Sequence, residues 1–381
     1  MLAASRGLAR RPAAFVAFPL ALTICLIADA ALHAQAGRVA STPQRTGSEL
    51  YEAACGACHG IDGTGQPQTT VGFDTPLPDF TDCAYATPEQ DADWMAIIAR
   101  GGPVRAFDRR MPAFGEALSN EDILKILGHI RTFCASRNWP RGELNLPRPL
   151  VTEKAFPENE AVWTIGAARG GIRNEFVYEQ RFGSRTQVEA VVPFEMQDLN
   201  GGGWHRGLGD VALAVKRVMF HTLDRGSIVS VGGELSLPTG KEHIGLGKGF
   251  SVVEPFVAVG QILPSNGFLH VQAGLELPVN RTRAANEAFW RAAAGKSFFK
   301  GGIGRSWSPM MEVLGARELT GRTTTAWDLV PQMQVTLSKR QHIMVNAGVR
   351  IPLNERVERH SEVVTYLLWD WFDGGFLSGW R

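Results

Sequence analysis

The chain lacks the features that would assign it to common classes of enzyme or nucleic-acid-binding protein. Its 381 residues carry a formal net charge of only +1, so the strongly basic surface that favours nucleic acid is absent. Lysine is scarce, whereas glycine and tryptophan number 42 and 10. That composition suits turn-rich β structure better than a helical enzyme. We find no paired carboxylates, Ser/His/Asp set or glycine-rich phosphate loop, so these common catalytic arrangements do not account for the sequence.

The first 36 residues are typical of a secretory signal peptide. Three arginines precede an apolar run over residues 13–32, and Ala34-Gln35-Ala36 fits a cleavage site. We therefore expect residues 1–36 to be removed on export. The alternative is an uncleaved membrane anchor, because the apolar run is nearly long enough to span a bilayer.

A single C-x-x-C-H motif follows, formed by Cys55, Cys58 and His59. Two thiols at this spacing can each add to a vinyl group of a porphyrin, and the adjoining histidine can reach the iron as an axial ligand. The motif therefore predicts one covalent heme c.

Three helices are predicted around this motif. Their start signals are Thr46 with Glu49, Thr87 before Pro88, and Ser119. The intervening segments are rich in Gly, Pro and Thr, and we expect them to surround the porphyrin edge. The heme domain is assigned to residues 40–147.

Over residues 45–135 the chain resembles class I cytochromes c, on the basis of the C-x-x-C-H motif and Met111-Pro112 before the third helix. That resemblance implies an all-α fold with Met111 as the second axial ligand, which would suit electron transfer. The alternative is that Met111 only packs in the core. Four arginines near Met111 are candidates for binding heme propionates or an acidic partner, or for a solvated rim: Arg100, Arg105, Arg109 and Arg110.

Two cysteines remain in the exported chain, Cys83 and Cys134. An even pair in an oxidising compartment predicts a disulfide, with two buried free thiols as the alternative. Beyond the heme domain, the prolines and mixed charges of residues 137–160 show no apolar period. We interpret residues 148–159 as a semi-rigid, proline-rich linker.

From residue 160 to residue 381, segments of about 9–13 residues alternate apolar and polar side chains, which is typical of β-strands. Val188, Val192 and Phe194, for example, fall on the opposite face from Gln187. Strands this long, with one wholly apolar face, predict an antiparallel transmembrane β-barrel of about 12 strands. Tryptophans, with Tyr178 and Tyr366, are expected at the membrane interfaces, and loops at 197–207, 280–286 and 353–361. The alternative is a soluble β-sandwich.

This half is similar to the outer-membrane barrels named for the phenol-degradation meta pathway, on the basis of segments 176–182, 207–211 and 233–240. The fold class is thus multidomain. The preferred hypothesis is a monoheme c-type cytochrome tethered to an outer-membrane barrel. It would carry electrons with a periplasmic redox protein, and lipid would surround the barrel. The alternative is a transport or binding barrel for small solutes, including aromatic ones, with a redox-sensing heme domain. Catalysis at an open heme requires that Met111 does not ligate.

Overall fold

The computed structural model describes residues 44–73, 76–134, 136–198, 203–300, 305–321, 323–355 and 359–371. The predicted signal peptide lies outside these residues. From Gly47 onward the chain forms one compact unit, Gly47–Arg381.

The N-terminal part is a domain of few helices. They are α1 (Gly47–Ala54), α2 (Gly56–His59), α3 (Gln68–Val71), α4 (Cys83–Ala86), α5 (Asp91–Arg100) and α6 (Asn120–Phe133), with 3-10 turns at Gly102–Arg105 and Gly142–Leu144. None of the helices in the described part of the chain is long and apolar enough to cross a membrane.

The predicted helix starts are partly confirmed. Ser119 caps α6, because its hydroxyl accepts a hydrogen bond from the Asp122 amide at 3.1 Å. The start predicted at Thr87 is wrong: α5 begins at Asp91, and the Thr87 hydroxyl donates to the Cys83 carbonyl at 2.6 Å. Thr87 therefore ends the short α4, a role that a start signal in the sequence does not distinguish from capping the next helix.

The core of this domain lies where α1 and α5 pack near α6. Its members are buried apolar side chains, chiefly Leu50, Tyr51, Trp94, Ile98, Ile123, Ile126, Leu127 and Ile130. The four α6 residues of this set, Ile123, Ile126, Leu127 and Ile130, recur at the spacing of one helix face. Cys83 and Cys134 form a disulfide with 5.2 Å between their Cα atoms, which ties α4 to the end of α6.

The C-terminal part is one closed antiparallel sheet. Its segments are β1 (Glu160–Ala168), β2 (Gly171–Phe182), β3 (Thr186–Asp198), β4 (Trp204–Leu208), β5 (Ala212–Thr222), β6 (Ser227–Ser236), β7 (Val252–Leu263), β8 (Gly267–Pro278), β9 (Glu287–Lys296), β10 (Phe298–Lys300), β11 (Arg305–Glu318), β12 (Ala326–Thr336), β13 (Ile343–Pro352) and β14 (Glu362–Asp370). β4 and β5 both pair with β3, and β9 and β10 both pair with β11, so the wall has 12 strands. Pairing of β14 with β1 closes the barrel.

The strand count of about 12 is confirmed, and so are the predicted loops after β8 and β13. The loop predicted at 197–207 is too long, because β3 continues to Asp198 and β4 begins at Trp204.

The two faces of the wall differ as predicted from the period of two. Val188, Val192 and Phe194 are exposed on the outside, whereas Gln187 is only 1% exposed on the inside. A barrel that is apolar outside and polar inside has the arrangement of membrane-spanning barrels. A β-sandwich is excluded because the apolar faces do not meet. Tyr366 does not lie at an interface as expected; it is buried, 2% exposed, inside the barrel.

The barrel is not empty. Residues 144–158, which we call the lumen plug, lie inside it and are held by the wall. The carboxylate of Glu312, on β11, accepts hydrogen bonds from the amides of Leu150, Val151 and Thr152 at 2.8, 3.1 and 2.8 Å. Glu312 itself is 0% exposed. This part of the plug is therefore bound through its backbone as well as through the apolar contact of Leu150 with the cluster around Val162.

Charged side chains hold the rest of the lumen plug. The Arg148 guanidinium lies 2.5 Å from Glu160 and 2.6 Å from Glu179, both wall residues. Lys216 of the wall pairs with Glu153 of the plug at 2.5 Å. Buried charges of this kind require partners, and each side supplies the partners of the other.

The interpretation of residues 148–159 as a spacer is therefore wrong. The Tyr366 hydroxyl donates to the Arg148 carbonyl at 2.7 Å, and Ser230 donates to the Ala155 carbonyl at 2.5 Å. Burial here depends on polar groups of the wall that satisfy an irregular backbone. Such burial leaves no hydrophobic period in the sequence.

The two ends of the barrel differ. β1 begins and β14 ends at the same end, where the connections are short: 183–185, 223–226, 264–266 and 337–342. The other end carries the two-residue turn 169–170 and all the longest connections: 237–251, 279–286, 319–325 and 353–361. The short-turn end also contacts the helical domain, since Arg185 donates to the Asn138 carbonyl at 3.1 Å and Gln341 donates to the Asp93 carboxylate.

Candidate heme site

A cavity of about 640 Å³ in the helical domain brings together the predicted site residues. Cys55, Cys58, His59 and Met111 all line it. Its volume falls within the range of ~300–1,000 Å³ typical of ligand sites. Most of the remaining lining is apolar, including Phe80, Trp94, Ile97, Ile98, Phe114 and Ile130. A large, planar, apolar group that can form a covalent bond with each of the two cysteines would suit this cavity.

The C-x-x-C-H motif is held by α1 and α2. The backbone amide of His59 donates to the Cys55 carbonyl at 2.9 Å, so the motif forms one helical turn that presents both thiols and the imidazole to the cavity. The Tyr51 hydroxyl donates to the Gly60 carbonyl at 2.8 Å, which fixes the end of this turn. The His59 ring stacks on Phe80 with 4.9 Å between ring centroids.

The His59 imidazole is in a form suited to coordination. Burial lowers the pKa of His59 to about 4, so the ring is neutral at pH 7. Its Nδ1 atom is buried and has no hydrogen-bond partner in the described part of the protein. Burial also raises the pKa of the Cys55 thiol to about 11. Free cysteines beside a neutral, unpartnered imidazole fit a covalently attached, histidine-ligated heme.

Met111 lies in the loop between α5 and α6, and this loop packs closely against Gly101 and Gly102. The Gly102 amide donates to the Met111 carbonyl at 3.1 Å, and a Cβ on Gly102 would lie 2.2 Å from the Asp108 carbonyl oxygen. Gly101 has φ +80°, a conformation that glycine adopts without strain. These two glycines, which directly follow the end of α5 at Arg100, therefore allow the Met111 loop to approach the backbone closely.

Another methionine and another histidine of the helical domain, Met95 and His129, do not line the cavity. Met95 packs against the apolar core. His129 stacks against Tyr51 and Phe133, with ring centroids 5.2 and 5.0 Å apart. Among the described residues there is no cluster of three or more His, Cys, Asp or Glu side chains that would hold a metal ion by themselves.

The four arginines near Met111 have different environments. Arg105 is 4% exposed and pairs with Asp93 at 2.5 Å, so it belongs to the fold rather than to a solvated rim. Arg110 lines the cavity and donates to the Gly72 carbonyl. Arg100 and Arg109 are exposed.

Arg340 is a cavity residue that sequence reasoning missed. It belongs to the barrel, in the turn between β12 and β13, and still lines the same cavity. No local motif marks it, because its position depends on how the barrel turn docks on the helical domain.

The model of the family described as cytochrome c oxidase, cbb3-type, subunit III matches residues 42–130. A search of curated proteins found no match.

Among solved structures, the barrel is similar to an outer membrane channel from Pseudomonas putida F1, with 12% identity, a TM-score of 0.41, and 59% of this chain and 100% of that chain covered. A KdgM porin gives 8% identity, a TM-score of 0.37, and coverage of 56% and 99%. The β domain of the Bordetella autotransporter BrkA gives 11% identity, a TM-score of 0.38, and coverage of 56% and 100%.

The chain thus joins a cytochrome c-type domain to a closed β-barrel of the outer-membrane type. The family match lies within the helical domain, where the C-x-x-C-H motif lies. The barrel is defined by its own strand pairing and by its apolar exterior.

Proposed function

We propose that this protein is a monoheme c-type cytochrome of class I type, anchored in the outer membrane, that transfers electrons at the periplasmic face. The observation that carries the proposal is the single cavity that joins Cys55, Cys58, His59 and Met111. The two cysteines would hold one heme c covalently, and His59 and Met111 would be its axial ligands. When bound, the heme supplies one-electron redox chemistry, and a thioether ligand favours its reduced state.

The protein's own side chains restrict that chemistry to electron transfer. With His59 and Met111 both engaged, no coordination position remains for a substrate, so oxygenase or peroxidase chemistry is not expected. The apolar side chains in the lining, such as Phe80 and Trp94, would limit the access of water to the heme and so influence its redox potential.

The orientation of the barrel supports a periplasmic heme domain. Short turns face the periplasm and longer loops face outward in bacterial barrels. The helical domain contacts the short-turn end through Arg185 and Gln341. An electron partner would therefore be a periplasmic redox protein, and the exposed apolar wall would contact outer-membrane lipid.

The lumen plug favours an anchoring role for the barrel over the alternative of an open solute channel. Wall residues beside the plug, such as Glu179 and Glu312, are 0% exposed. Toward the opposite end the lumen-facing side chains, such as Glu234 and Glu254, are only partly buried. A solute would have to pass the plug to cross the membrane.

Spectroscopy of the purified protein tests the proposal. We expect one covalent heme per chain and the reduced spectrum of a low-spin, methionine-ligated heme that does not bind carbon monoxide. Replacement of Met111 by Leu should open the iron to carbon monoxide, whereas the control Met95→Leu, which alters only core packing, should not. A chain without covalent heme, or a wild type that binds carbon monoxide as readily as Met111→Leu, would contradict the proposal.

A further inference from the structure

The barrel contributes a cation to the heme cavity. Arg340 lies in the turn between β12 and β13 and lines the cavity beside Phe107, Asp108 and Met111. All its neighbours in the cavity come from the helical domain. The cofactor site is therefore built from both parts of the chain.

Arg340 is held in place by the helical domain. Its guanidinium carbon lies 4.3 Å from the centroid of the Phe107 ring, and its Nη2 donates to the Ala106 carbonyl at 3.5 Å. The adjacent Gln341 donates to the Asp93 carboxylate, which also pairs with the buried Arg105. These contacts fix the turn, so the position of the guanidinium does not depend on a freely moving side chain.

The charges around the cavity suggest what Arg340 binds. Two arginines line it, Arg110 and Arg340, together with two carboxylates, Glu89 and Asp108. Arg110 is oriented in a similar way, since its guanidinium lies 5.5 Å from the Phe73 ring. A heme carries two propionate carboxylates, and arginine is the side chain best suited to bind carboxylates with two parallel hydrogen bonds.

We propose that Arg340, together with Arg110, binds the propionates of the heme, so that a turn of the barrel completes the cofactor site. This inference rests on the proposed function. It goes further because it assigns to the membrane barrel a positive charge that affects the redox potential of the heme. A positive charge next to the heme favours the reduced state, because reduction lowers the charge of the iron. Loss of Arg340 therefore lowers the midpoint potential.

The test is potentiometric titration of the full chain in detergent. We expect R340Q to lower the ratio of reduced to oxidised heme at a fixed potential about tenfold, which is ~59 mV for one electron. R340K keeps the charge and should stay close to the wild type. The control R185Q removes a charge and the hydrogen bond to Asn138 at the same end of the barrel, but Arg185 does not line the cavity. It should leave the potential unchanged.

Two results would overturn the inference: an R340Q protein with wild-type potential, or an R185Q shift as large as that of R340Q. The second would indicate that docking of the domain, not Arg340, sets the potential. Absence of covalent heme from the wild type would instead refute the proposed function itself.

Heat-modifiable migration on gels verifies that each variant barrel is folded. If R340Q fails to fold, resonance Raman spectra of R340K supply the readout. The band of the heme propionates should shift when lysine replaces the arginine whose guanidinium binds a propionate. An unchanged band in R340K would show that Arg340 does not contact a propionate.

Discussion

We expect the buried carboxylate of Glu312 to be one of the main groups that keep the lumen plug in place. Glu312 accepts hydrogen bonds from three consecutive plug amides, those of Leu150, Val151 and Thr152. Replacement of Glu312 by Ala removes the acceptor of three donors, the amides of Val151 and Thr152 and the Thr152 hydroxyl, whereas the Leu150 amide keeps a hydrogen bond to Gln332 at 3.0 Å. Each unsatisfied buried donor costs ~1–3 kcal/mol. Even the lower limit of this range, summed over three donors, gives about 3 kcal/mol, which changes the ratio of open to closed barrels about 100-fold.

The assay is ion conductance of the purified protein in planar lipid bilayers. We expect the wild type to conduct little and Glu312→Ala to open frequently. Glu312→Gln, which keeps one acceptor oxygen, should give an intermediate result. The matched control is Glu276→Ala, because Glu276 faces the lumen but pairs with Lys248 at 3.4 Å, on a loop at the end opposite the helical domain.

Hydrogen exchange gives an independent readout of the same change. The amides of Val151 and Thr152 should exchange slowly in the wild type and rapidly in Glu312→Ala. The reasoning is refuted if the wild type conducts as an open pore, or if Glu312→Ala leaves both conductance and exchange unchanged.

Two further predictions concern the heme domain. Replacement of both Cys83 and Cys134 by Ser should lower the free energy of unfolding by about 4 kcal/mol, because the disulfide closes a loop with a sequence separation of 51. The change is measured by following the heme absorption during unfolding in denaturant. The prediction is contradicted if reductant alone leaves the stability of the wild type unchanged. Replacement of Gly102 by Ala should displace the Met111 loop and weaken the methionine ligation seen in the reduced spectrum, since the added Cβ would meet a backbone oxygen at 2.2 Å. Gly128→Ala on α6 is the control, because its Cβ would meet nothing within 4 Å, and equal spectra for the two variants would contradict the argument.

Patterns that repeat along the chain were predictable from the sequence. The faces of the barrel strands follow from a period of two, as Gln187 and Val188 illustrate. The helical spacing of Ile123, Ile126 and Ile130 placed the buried face of α6 correctly. In such elements the polarity of a residue indicates directly on which face of the strand or helix its side chain lies.

Features that depend on tertiary docking were not predictable. The lumen plug resembles a linker in sequence, since its burial depends on wall residues such as Glu312, far along the chain. Arg340 lies in a barrel turn without a motif, and only the docking of that turn brings it to the heme cavity. The cap assigned to Thr87 failed for a similar reason, because several local hydrogen bonds compete for a threonine hydroxyl.

The path of residues 144–158 has a consequence for biogenesis. The segment leaves the helical domain, reaches the middle of the cylinder at Glu312, and returns to β1 at the opening by which it entered. Within the ranges that the structure describes, no segment is threaded through the ring, so the hydrogen-bonded seam between β14 and β1 can form before the interior is occupied. Maturation of the cytochrome and insertion of the strands into lipid can therefore proceed as separate events, with the stopper seated last.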